Sequence, residues 1–120
     1  MTLQSDGTTL SVTYDLSGMP TAPADGASWI LKVQVDGGGI YQLGLKLVGR
    51  DAIRFVFDFG SSRQENLSPT YTAESKRLLV AFPLASFRAV GKGFSWSATT
   101  TYAGADVDDC PETGMVRFGG

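Results

Sequence analysis

Asp106, Asp108, Asp109 and Glu112 are the densest group of chemistry-bearing side chains in this sequence. Carboxylate oxygens in a flexible segment suit calcium, a hard cation that takes several oxygen ligands. A bend after Gly104 would let two or three of these residues converge, and a remote carboxylate such as Asp36 could complete the set. Their spacing departs from the calcium loop of helix–loop–helix proteins. The plainer expectation is an acidic, solvated connector, with Asp109 bonded to nearby backbone. Histidine is absent and cysteine occurs once, at Cys110. The usual general base near neutral pH is therefore missing, and so is the partner that would activate Cys110 as a nucleophile. Two carboxylates about 5–10 Å apart can hydrolyse a glycosidic bond, but the chain has no long excursion with which to shape a cleft. No enzyme is expected and no cofactor is required; a structural calcium ion is the one inorganic ligand the tail allows.

Aromatic rings offer a different chemistry. Trp29, Trp96, Tyr41, Tyr71 and Tyr102 could stack on sugar faces while neighbouring polar groups take hydroxyls. Both tryptophans stand in phase with apolar neighbours and are expected in a core. Tyr71 is then the exposed candidate, with Gln42, Arg63 and Asn66 as polar partners by residue type. The basic residues Arg50, Arg54, Arg63, Lys76, Arg77, Arg88 and Lys92 carry no RNA-binding motif, and the net charge is −2. They are read as solvated faces and guarded strand edges, with no nucleic-acid partner.

The elements that must hold these side chains are strands. Leu10, Val12, Tyr14 and Leu16 recur at period two, a half-buried strand. Pro20, Pro23 and two glycines predict a loop to residue 26. Residues 28–36, 40–48 and 53–59 alternate again, separated by glycine-bearing turns, and predict a three-strand meander. In the third of them Ile53, Phe55, Phe57 and Phe59 are taken to face inward. Residues 60–66 read as a polar loop and 68–74 as a weak strand around Tyr71. Leu78–Phe82 reads as an internal strand, and Leu84–Val90 as a helical turn begun by Pro83. Phe94 to Tyr102 closes the series with a serine and threonine face toward solvent.

Seven such strands carry too much apolar surface for one exposed sheet, and two antiparallel sheets packed face to face resolve that. The expected fold is an all-β sandwich, jelly-roll or immunoglobulin-like, with a small barrel as the alternative. The expected core is Leu10, Val12, Tyr14, Trp29, Leu31, Val33, Leu43, Leu45, Phe55, Phe57, Val80, Phe82 and Trp96. At 120 residues the chain makes a single domain, residues 1–120. No stretch is long and apolar enough to span a membrane. The start lacks a secretory pattern, so the expected location is cytoplasmic if the chain is full length. It is extracellular or periplasmic if the chain is an excised module.

Three segments carry a resemblance. Leu10-Ser11-Val12-Thr13-Tyr14-Asp15-Leu16-Ser17-Gly18-Met19-Pro20-Thr21 resembles a first strand and its exit. Val80-Ala81-Phe82-Pro83-Leu84-Ala85-Ser86-Phe87 resembles a late strand with a proline-started turn. Phe94-Ser95-Trp96-Ser97-Ala98-Thr99 with Asp109-Cys110-Pro111 resembles a last strand and acidic tail. Together they are similar to the DOMON-like and family 9 carbohydrate-binding β-sandwiches, especially the small secreted bacterial accessory domains attached to hydrolases and proteases. The resemblance implies a ligand-binding or accessory module, with carbohydrate as a candidate ligand. Haem held by methionine and histidine, known in one branch, does not fit a chain without histidine. The rival expectation is a structural or protein-interaction domain that packs on a partner or forms a weak homodimer.

Overall fold

Alternating residues become strand wherever the alternation is long. The computed structural model describes residues 2–15, 26–48, 51–68, 70–74, 77–102, 105–110 and 116–118. Among them run β1 (Thr2–Ser5), β2 (Thr9–Asp15), β3 (Ala27–Val35), β4 (Ile40–Val48), β5 (Asp51–Asp58) and β6 (Arg63–Leu67). β7 (Thr72–Glu74), β8 (Arg77–Pro83), β9 (Phe94–Tyr102), β10 (Ala105–Cys110) and β11 (Val116–Phe118) complete the set. A 3-10 turn, Leu84–Phe87, follows Pro83 where the sequence predicts a helical turn.

The strands form an antiparallel two-sheet sandwich that does not close into a barrel. The small sheet has the order β1-β2-β8-β7, and the large one β10-β9-β3-β4-β5-β6, with β11 also paired to β9. The chain starts in the small sheet, builds β3 to β6 as a meander, returns for β7 and β8, and crosses again through the 3-10 turn. Leu10, Val12, Tyr14, Leu78, Val80 and Phe82 of the small sheet belong to one core with Trp29, Leu31, Val33, Leu43, Leu45 and Trp96 of the large one. Fully burying one such aliphatic or phenylalanine side chain contributes roughly 1.5–3 kcal/mol.

Three expectations need correction. Phe55 and Phe57 are not in the core: Val56, 3% exposed, is the buried residue of β5. Both faces of β5 carry apolar residues, so hydrophobicity alone cannot set its phase. The register does, because Tyr41, Leu43, Leu45 and Leu47 claim the core and pair with Asp58, Val56, Arg54 and Ala52. Every phenylalanine of β5 is thereby turned to the outer face. The polar loop at 60–66 is in part β6, which pairs with β5 from Arg54–Leu67 to Asp58–Arg63. The acidic connector is in part a strand, β10, and β1 and β11 add further strands to the seven expected.

Candidate functional site

The outer face of the large sheet is assembled by register. One cross-strand row runs Thr99, Ile30, Gly44, Phe55 and Asn66; the next runs Ser97, Lys32, Gln42, Phe57 and Gln64. Residues directly opposite on neighbouring strands share a face, so two amide-bearing edges flank a stripe of phenylalanine. Gly44 is what lets Phe55 lie flat. A Cβ at that position would collide with the Phe55 ring, so the missing side chain is the seat of the aromatic one. Phe57 and Phe59 meet edge to face, with centroids 5.1 Å apart. Phe59, Ile53 and Ile40 are 45%, 38% and 37% exposed. Gln64 donates through Nε2 to Asn66 Oδ1 at 2.7 Å, which fixes the pair of amides along β6.

Among the described residues, two hollows open beside β5. The larger, about 460 Å³, lies beside β5, β6 and the 3-10 turn, and Asp58, Arg63, Glu65 and Arg88 line it. Desolvation pushes the Asp58 carboxyl up, but the Ser61 hydroxyl, the amides of Gly60 and Ser61 and the Arg88 charge together hold it below its ordinary value. Two of these residues are cations and two are carboxylates, so their charges balance. The smaller, about 240 Å³, opens over β8 where β7 ends and is lined by Ser11, Arg54, Thr70, Tyr71 and Thr72.

The four residues expected to bind a ligand are therefore not one site. Gln42 and Asn66 share the outer face of the large sheet, Arg63 lines the larger hollow, and Tyr71, 36% exposed, lines the smaller. Phe55, Phe57, Phe59 and Gln64 come to this face through the register and not through any pattern the sequence displays. The signal that could have found them was Gly44, a side-chain-free position in a strand of leucines. Comparison with protein-family models, with curated proteins and with solved structures gives no match. The chain is a small antiparallel two-sheet all-β module.

Of the expected calcium ligands, Asp106 pairs in backbone register with Thr101, Asp108 with Thr100 and Asp109 with Thr99, with an irregularity between Asp106 and Asp108. Their side chains, and Glu112 entirely, lie outside what the structure describes. Among the described residues, no group of three or more histidine, cysteine, aspartate or glutamate side chains is placed to hold a metal. No helix among them is long and apolar enough to cross a membrane.

Proposed function

We propose that this domain is a non-catalytic binding module that takes carbohydrate on the outer face of its large sheet. The observation that carries the reading is the stripe of Phe55, Phe57 and Phe59 bordered by Gln42, Gln64 and Asn66. A sugar ring presents an apolar face and a rim of hydroxyls. Aromatic surface takes the first, and amides, which both donate and accept, take the second. A sheet supplies both without a cleft, because its strands hold the side chains at fixed spacing. The resemblance to carbohydrate-binding sandwiches points the same way.

Binding to a glycan array and to immobilised polysaccharides tests it. Phe57→Ala and Gln64→Ala should each weaken retention by about tenfold, the scale of losing one stacked ring or one well-placed hydrogen bond. Tyr71 lines the smaller hollow and is not part of the phenylalanine stripe, so Tyr71→Ala should bind as the parent does. No retention on any glycan would overturn the reading. A second reading is favoured by the exposure of Phe59, Ile53 and Ile40: the same face docks on protein or on a second copy. A concentration-dependent dimer in sedimentation, lost in Phe59→Ser, would select that reading.

For the tail we propose a structural calcium ion at Asp106, Asp108 and Asp109, supported by their closeness in sequence. Calcium binding only the folded form should raise the melting midpoint above that in chelator, and magnesium should do less. Equal midpoints in calcium and chelator would leave β10 an acidic strand with no ion.

A further inference from the structure

The hollow beside Tyr71 exists because β7 is short. It pairs with β8 only from Arg77 to Leu79, which leaves the Ala81 carbonyl beyond the last rung. Arg54 reaches across from β5 and donates from Nη1 to that carbonyl at 2.7 Å. Its Nε is buried and meets no acceptor. Among the described residues that line the hollow, Arg54 is the only charged one. Ser11, Thr70, Tyr71 and Thr72 bring hydroxyl groups, and Leu79, Val80 and Ala81 bring aliphatic surface.

A guanidinium half-withdrawn from water, with no carboxylate among the described residues that line its hollow, is an unbalanced charge in a polar recess. We infer that this hollow binds the carboxylate group of a small organic acid. The charge falls to Arg54, Tyr71 and the threonine hydroxyls donate to the same oxygens, and the aliphatic floor takes the carbon body. A single guanidinium matches a singly charged carboxylate, and arginine to carboxylate is the favoured charge-assisted pairing. The site is separate from the phenylalanine face and independent of the glycan reading.

The test is a titration of backbone amide chemical shifts in the whole chain with sodium acetate and sodium glucuronate, against sodium chloride at equal ionic strength. Both carboxylates should give saturable shifts centred on Tyr71, Thr72 and Ala81, and chloride none. Arg54→Gln should abolish them. Should that variant fail to fold, Thr70→Val with Tyr71→Phe removes two donors, keeps the Arg54 bond, and must weaken the response. No saturable shift, shifts that chloride reproduces, or binding unchanged in the variants would overturn the assignment. So would tighter binding of inorganic phosphate than of acetate. Acetate has no sugar ring, so its result stands apart from the glycan array.

Discussion

Asp36, in the turn between β3 and β4, accepts two hydrogen bonds from Arg117 of β11, 81 residues away in sequence. Those bonds hold the Asp36 carboxyl below its ordinary value, against desolvation and with help from the guanidinium charge, and they raise Arg117. A depressed carboxylate stabilises the fold fully above its unfolded value, here 3.8, and that contribution disappears as pH falls through the lower folded value. Asp36→Asn should therefore melt below the parent at neutral pH and converge with it in acid. Both side chains are about half exposed, so added salt should also narrow the gap. Melting curves across pH and salt would check this; a gap that persists in acid would show that Arg117 acts through packing instead. Gly44→Ala works at the same scale. The added methyl must push the Phe55 ring outward, at a cost of about 1–3 kcal/mol for overpacking. Denaturant melts and glycan retention should both register it. Gly44 marks a special place in its strand, but sequence shows neither which residue faces it nor which cation finds Asp36.

β2, β3, β4, β8 and β9 were legible because their apolar residues alternate against polar ones and only one phase buries them. β5 was legible as a strand and illegible in phase, since Phe55 and Val56 are both apolar. β6, Arg-Gln-Glu-Asn-Leu, offers no alternation at all; it is a strand because β5 presents a free edge to it. β11 is equally obscure, three residues whose place is set by Arg117 and by Phe118 stacked on Phe94 at 4.9 Å. Phe118→Ala should cost about 1–2 kcal/mol, from the lost ring pair and its partial burial. Hydrogen exchange should quicken at Phe94 to Trp96, the β11 partners, and stay slow along β3. Uniform acceleration would mean that β11 has no separate part in holding that end of β9.

Taken whole, the sandwich was legible from the amount of apolar surface, which one sheet cannot bury. The strand order was not, because it depends on long-range pairing. Thr9 lies opposite Pro83 and Asp15 opposite Arg77, so the centre of the small sheet joins two ends of a long excursion. Closing it costs chain entropy before any contact rewards it. Refolding should accordingly take milliseconds to seconds in stopped-flow fluorescence, with Trp29 and Trp96 as reporters; completion within microseconds would contradict this topology.

β9 has a further consequence. It pairs with β3 along its whole length, while β10 and β11 lie end to end along its other side. The strand they cover, Phe-Ser-Trp-Ser-Ala-Thr-Thr-Thr-Tyr, contains no charge and no proline. Laid bare, it would be a template on which other copies could stack as cross-β ribbons. The C-terminal strands are thus a guard against fibre formation. A chain ending before residue 105 should bind thioflavin T and sediment within hours of gentle warming, under conditions in which the full chain stays clear.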